Sequence, residues 1–232
     1  MSENLTIDGN TNKGLTLTTL KYIAIAAMLI DHIAVTFVAY DSVLFLIMDL
    51  IGRITGPVMF FAAVEGYHHT KSFQKYLLRL FLFAWISYFP FSFLFTKGEF
   101  DPLFFNILFN IFLGLLAVHI FRTVKNVFFK VILILALLLL SLPMDYGTLC
   151  ITIMLVLDFF YGDRKNQLAG YLIVILLETD ILNFFLTPMR SFLFDHTFDV
   201  SYSLEALRDF GFLIPFFLLW FYKGEKGKST PF

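Results

Sequence analysis

Charge is scarce in this chain of 232 residues: Lys, Arg, Asp and Glu together make up 15% of it, against about 25% in a soluble domain. What charge there is nearly cancels, with 17 basic and 18 acidic residues and a net charge of −1. That balance gives no electrostatic footprint for a nucleic acid, and none is expected as a partner. Cysteine is all but absent. Cys150 stands alone, which excludes an internal disulfide and a thiol pair for a metal. The first 16 residues are polar, with one Lys and no apolar core. No cleavable leader is expected there, so the first apolar segment should remain as a helix.

Apolar residues fill the space left by charge. They are 59% of the chain and include 32 Phe, more than a buried core can absorb. The composition is that of a membrane protein, and the lipid bilayer is its first expected partner. A span needs about 20 apolar residues. Eight segments qualify or nearly so: 17–40, 43–66, 76–96, 103–121, 127–142, 147–161, 168–188 and 210–222. The fifth, sixth and eighth are short for full crossings. Pro143, Asp145 and Gly147 place a tight turn between the fifth and sixth. Backbone in lipid must satisfy its own hydrogen bonds, so an all-α, polytopic transmembrane helix bundle is expected. Residues 1–16 then form a polar N-terminal segment, 17–223 a single transmembrane domain and 224–232 a polar tail.

Loop charges set the orientation. Lys71, Lys75 and Arg79 follow the second span, Arg122, Lys125 and Lys130 the fourth, Arg164 and Lys165 the sixth, and Lys223, Lys226 and Lys228 the eighth. The alternate loops carry Asp41, Glu99, Asp101, Asp145, Asp195, Asp199, Glu205 and Asp209, with only Lys97, Arg190 and Arg208 of opposite sign. Basic loops stay cytoplasmic. The alternation predicts a multi-pass protein of the cell membrane with both termini cytoplasmic.

Ionisable groups inside spans are costly and mark candidate functional positions. Here they are Lys21, Asp31, His32, Asp49, Arg53, Glu65, Asp158, Glu178 and Asp180. Asp49 and Arg53 have the spacing of an intrahelical ion pair that neutralises itself. Asp158 falls near the end of a short span, where a structural role is the expectation. Lys21 and His32 are eleven residues apart, almost three turns, and project from nearly one face. The separation along the axis is about 16 Å. That arrangement suits a ligand entering from the cytoplasm with an anionic end on Lys21 and a reactive end near His32. Asp31 points about 100° away on the same helix. The bland alternative is a buried His bonded to a neighbouring helix.

The stretch "GRITGPVMFFAAVEGYHHT", residues 52–70, is the second unusual one. Gly52 and Gly56 form a small-xxx-small pattern that permits close helix packing. Pro57 predicts a kink. Glu65 and His68 have the Glu-x-x-His spacing of di-metal bundles, but no second set exists, so no metal is expected. Asn106 and Asn110 share a helix face, as interhelical glue or, for Asn106, as a substrate-orienting group.

Taken in order, "LKYIAIAAMLIDHI", "IGRITGPVMFFAAVEGYHHT", "YLLRL", "NILFNIFLGLL", "DYGTL" and "LIPFFLLWFYKGEKG" resemble the TraX family, known for N-acetylation of F-pilin, and through it a broader group of integral-membrane acyltransferases. The pieces run from Leu20 to Gly227. The broader group carries a basic residue, ten residues and a His in an early span, and Lys21 and His32 reproduce it. Asn110 departs from the pattern, which has Thr there.

The resemblance implies transfer of an acetyl group from cytoplasmic acetyl-CoA to an amine or hydroxyl acceptor. That acceptor is a peptide or pilin N-terminus, a glycan or a lipid-linked group. His32 would act as general base or as covalent acetyl carrier. Asp31 would fix its tautomer, and Arg53 or Asn106 would stabilise the oxyanion. Lys21, Lys71, Lys75 and Arg79, with Glu65 and His69 beside them, would hold CoA. For the loop residues the competing explanation is topology alone. Two other classes compete with the enzyme. One is a proton-coupled transporter relaying through Asp31, His32, Glu178 and Asp180. The other is an assembly subunit whose charges merely pair between helices.

Overall fold

The computed structural model describes residues 14–96, 105–190 and 206–227, except the side chains of Pro188 and Arg190. Lys97, Glu99, Asp101, Asp195, Asp199, Glu205 and Lys228 therefore lie outside the described residues. Those described form helices and no strand, with two isolated bridges. Polar side chains set most of the starts. Thr16 caps α1 (Leu17–Phe37), Ser42 caps α2 (Val43–Gly52) and Ser72 caps α4 (Phe73–Phe95). Asn106 caps α5 (Ile107–Thr123), Asn126 caps α6 (Val127–Ser141) and Asp163 caps α8 (Arg164–Glu178). Each accepts a hydrogen bond from an otherwise orphaned backbone N–H of the first turn. The remaining elements are α3 (Thr55–His69), α7 (Gly147–Phe159), α9 (Ile181–Arg190), a 3-10 helix (Leu207–Leu213) and α10 (Ile214–Trp220).

Helix α3 is apolar nearly all round and lies at the centre, with Val58, Phe60, Phe61, Ala62, Ala63 and Val64 all buried. Helices α5 and α7 pack beside it through Leu115, Val118, Ile153 and Met154. Helices α1, α4 and α6 form the outside and turn large apolar side chains outward, among them Leu29, Phe83, Ile86 and Leu139. That inverted surface fits contact with lipid rather than water.

Three stretches are long and apolar enough to cross a membrane: α1, α2 with α3, and α4. Helices α8 and α9, bent by 48° at their junction, make a fourth if taken as one broken span. Helices α5, α6 and α7 are apolar but have 17, 15 and 13 residues, short of the length a straight crossing needs. The eight segments read from the sequence correspond to helices or helix pairs, but fewer meet the length of a span.

Three boundaries depart from expectation. The second span breaks at Arg53–Ile54, not at Pro57. Pro57 sits in the first turn of α3, where its missing N–H is an orphan anyway, so it starts a helix instead of kinking one. The seventh breaks at Thr179–Asp180, so Glu178 and Asp180 lie at a helix end and not within a continuous span. The last begins at Leu207 as a 3-10 helix, under the polar run 203–209 where an earlier start than 210 is also open from the sequence.

The two ends of the bundle differ. At one, the two termini of the described chain are clasped together. The N–H groups of Leu15, Leu17 and Thr18 donate to the carbonyls of Phe221, Glu225 and Lys226, and Lys223 returns a bond to Leu15. Here too Asp158, fully buried, accepts from Arg122 Nε at 2.8 Å and lies 2.8 Å from His68 Nε2. That pairing ties α3, α5 and α7 together and gives Asp158 the structural part expected of it. The opposite, distal end holds the turns after α1 and α6 and the α8–α9 break.

Candidate functional site

Asp31 and His32 stand in the distal half of α1, about two-thirds exposed to neither water nor lipid. The carboxylate Oδ2 lies 3.7 Å from the imidazole Nδ1, an ion-pair distance but too long for a hydrogen bond. Among the described residues Nδ1 has no hydrogen-bond partner. Gly52 lets α2 approach this point, since a Cβ there would stand 2.7 Å from that of Asp31. Phe95 meets the imidazole edge-on, with ring centroids 5.1 Å apart.

These groups line a cavity of about 450 Å³. Its walls come from α1, the end of α2, α3, α4, α5 and the turn before α7, and most of its lining is apolar, including Met28, Met59, Phe91 and Ile107. Asn106 lies on the wall where α4 meets α5. Its amide nitrogen donates to Ala84 O and Ser87 Oγ, both at 3.0 Å, while its oxygen accepts from the Leu108 N–H. Thr55, opposite, donates to Ala24 O.

Asp145 and Tyr146 complete the wall, and sequence reasoning did not name them as site residues. Their turn is held by Asn110, which accepts from the Tyr146 N–H at 3.2 Å and donates to Gly147 O at 3.4 Å. Asn110 is thus the glue that its helix position predicts, spent on one loop. The signal for the pair was present in "DYGTL", but an acid in a turn reads as a loop charge until the fold closes over it.

The same two residues line a second cavity, of about 510 Å³. It is polar, lined by Asp145, Glu178, Asp180 and Asp209 together with Arg53. The Arg53 guanidinium lies 3.7 Å from Asp49 and over the Phe212 ring. Arg53 belongs to this polar cavity and does not line the one with His32. Enclosure by the surrounding protein pushes the Asp145 carboxyl up to about 6, against the pull of Arg53 and with a further push from Asp31.

The other residues read from the sequence sit elsewhere. Lys21 is exposed on the first turns of α1 and does not line the His32 cavity. His69 Nδ1 is 2.8 Å from the Glu65 carbonyl and 3.8 Å from its carboxylate, an intrahelical arrangement. Lys71, Lys75 and Arg79 are exposed where α3 passes to α4. The structure therefore gathers Asp31, His32 and Asn106 around one cavity, and leaves Lys21, Glu65, His69, Lys71, Lys75 and Arg79 at the end with the clasped termini. Among the described residues no group of three or more His, Cys, Asp or Glu is arranged to hold a metal ion.

Comparison with known proteins adds two findings. The family model described as "TraX protein" matches residues 16–198. The "Probable fimbrial assembly protein FimC, serogroup H1" of Dichelobacter nodosus is 34% identical over 218 residues, covering 90% of this chain and 84% of that protein. No solved structure matches the chain.

Proposed function

The chain belongs to the TraX family, and from that membership and the His32 cavity we propose that it is an integral-membrane acetyltransferase. It moves an acetyl group from cytoplasmic acetyl-CoA to an amine or hydroxyl of an acceptor. The name of the Dichelobacter relative, a fimbrial assembly protein, favours a pilin or another peptide N-terminus as that acceptor. In this reading residues 17–223 form one transmembrane domain in the cell membrane, entered and left from the cytoplasm. The separation of Lys71, Lys75, Lys223 and Lys226 from Glu178, Asp180 and Asp209 along the bundle supports that orientation.

One observation carries the proposal: an imidazole with a neighbouring carboxylate lines a cavity that is otherwise mostly apolar. Asp31 favours the tautomer with its proton on Nδ1, leaving Nε2 as the base. The acceptor nitrogen or oxygen gives up its proton to Nε2 and bonds to the thioester carbonyl carbon. The C–S bond breaks, and the CoA sulfur leaves as thiolate and is then protonated. Arg53 adds positive potential from behind Asp145 as the oxyanion forms. Asn106, whose amide hydrogens are committed to α4, shapes the wall. Lys21, Lys71, Lys75 and Arg79, with Glu65 and His69 beside them, hold the nucleotide end of CoA. The distance of about 16 Å from Lys21 to His32 is of the order an extended pantetheine arm crosses.

The test is transfer from radiolabelled acetyl-CoA by purified protein, comparing wild type with His32→Ala. Loss of transfer in the variant is expected. Transfer undiminished by the substitution overturns the role of His32.

A further inference from the structure

Transfer from a thioester puts negative charge on the carbonyl oxygen, and a mostly apolar cavity needs a hydrogen-bond donor to meet it. The wall around His32 offers few. Asn106 Nδ2 donates to Ala84 O and Ser87 Oγ, Ser87 to Phe83 O, and Thr55 to Ala24 O. Arg53 does not line this cavity. His32 Nδ1 has no partner among the described residues, but it is a buried atom beside Asp31, and the ring already serves as the base. Tyr146 is what remains. It lines the cavity, and among the described residues its hydroxyl donates to no acceptor.

Local structure prepares that hydroxyl to donate. The start of α3 has no side-chain cap, which leaves its first N–H groups orphaned. One of them, on Gly56, is hydrogen-bonded to the Tyr146 oxygen. A hydroxyl that accepts such a bond is polarised, and its own proton becomes a better donor. Enclosure by the protein raises the phenol above its ordinary value, so the proton stays in place. The ring is held as well. Gly56 leaves it room, Phe60 meets it edge-on with centroids 5.3 Å apart, and Asn110 accepts from the Tyr146 N–H. A donor fixed before the reaction costs no reorganisation during it.

We propose that Tyr146 is a catalytic residue whose hydroxyl hydrogen-bonds the thioester carbonyl oxygen and stabilises the oxyanion. This rests on the acetyltransferase reading and supplies a donor on the cavity wall itself. His32 Nε2 takes the proton of the acceptor nitrogen or oxygen as that atom bonds to the carbonyl carbon. The π pair of the C=O bond moves onto the oxygen, where the Tyr146 O–H meets it, and the phenol keeps its proton. The pair then returns to re-form the C=O bond. The C–S bond breaks, and the sulfur leaves as thiolate and takes the proton from His32. The same step serves an amine or a hydroxyl acceptor.

The experiment uses the full chain in lipid nanodiscs, as wild type and as Tyr146→Phe, a change that keeps the ring and its packing. The probe is a ketone analogue of acetyl-CoA, with a methylene between the acetyl group and the sulfur, so that no transfer occurs. It is isotope-labelled at the carbonyl, and difference infrared spectroscopy reads the carbonyl stretch. The hydrogen bond from Tyr146 lowers that stretch in the wild type, and Tyr146→Phe returns it towards the value of an unbonded carbonyl. With acetyl-CoA itself, kcat in Tyr146→Phe falls about 100-fold, the loss of one oxyanion donor. KM for acetyl-CoA changes little, because the bond strengthens only as charge develops, and the melting temperature stays the same. An equal stretch in the two proteins overturns the proposal whatever the rates, and so does an equal kcat. An analogue that binds with an unshifted stretch leaves the acetyltransferase reading standing and removes Tyr146 from it. A wild type that neither binds the analogue nor transfers acetyl sinks that reading, and this proposal with it.

Discussion

The ring of Tyr146 occupies the space that a side chain at position 56 would fill. Gly56 is bare so that α3 and the turn before α7 can meet, and Phe60 and Phe212 close on the same ring. The wall of the His32 cavity thus depends on a glycine in one helix and a tyrosine 90 residues later in the chain. Gly56→Ala forces the ring out of a packed site, which costs about 1–3 kcal/mol for overpacking of this kind. Chemical denaturation in detergent should show that loss. The His32 cavity should change shape with it, so the proposed acetyl transfer should fall even at temperatures where the variant stays folded.

Asp158 and Arg122 make a prediction of the opposite sort, stability without chemistry. Asp158 is fully buried and takes two bonds of 2.8 Å from Arg122 Nε. Arg122→Ala leaves the buried carboxylate with His68 as its partner, 2.8 Å away, so the loss should fall short of the about 3–5 kcal/mol of a fully broken buried pair. Asp158→Asn added to Arg122→Ala recovers part of it, because the buried charge is gone. A double-mutant cycle by denaturation reads the coupling. Activity per folded molecule should be unchanged in all three variants, since neither residue lines either cavity.

The terminal clasp is sensitive at Gly227. Its φ is +79°, a region that favours glycine, and a Cβ there would stand 2.7 Å from that of Thr16. Gly227→Ala opens the tail from the first turn of α1. Amide hydrogen exchange at Leu17 and Thr18, which donate to the tail, should quicken by an order of magnitude or more. The melting temperature of the bundle should move little. Unchanged exchange would mean that the tail does not hold those amides in solution.

How much of this was legible in the sequence depends on the range of the interaction. The apolar runs placed the starts at Leu17, Val43 and Val127 correctly, but missed those at Phe73, Ile107 and Arg164 by three or four residues, because there the start is set by the local caps Ser72, Asn106 and Asp163 and not by the run. The Asp31–His32 pair was visible as charge set in grease, and the ion pair of Asp49 with Arg53 followed from spacing alone. Arg53 facing away from His32 was not readable, since it turns on where α2 stops and α3 begins. Asp145 was hidden for a related reason. Its importance comes from Asn110, Phe105 and the helices that close around it, all distant contacts. The break at Thr179–Asp180, which moves Glu178 and Asp180 to a helix end, left no Pro or Gly to announce it.

The last prediction concerns the cost of keeping Asp145 ionised. Its carboxyl is raised from 3.8 to about 6 by enclosure. Below pH 3.8 it is protonated in the folded and the unfolded chain alike, so it contributes no pH dependence. Between 3.8 and 6 the unfolded chain gives up the proton and the folded chain keeps it, so stability falls as pH rises. Above 6 both are ionised and the full penalty is present. Asp145→Asn removes the titrating group and its penalty. It should melt higher than wild type at pH 7.5, with the gap closing as pH is lowered towards 4. The gap is small, because Asp145 is open to the cavities and partly screened, and because Arg53 keeps Asp49 as its counter-charge. Asp145→Asn melting below wild type at pH 7.5 would show instead that the carboxylate stabilises the fold through Arg53.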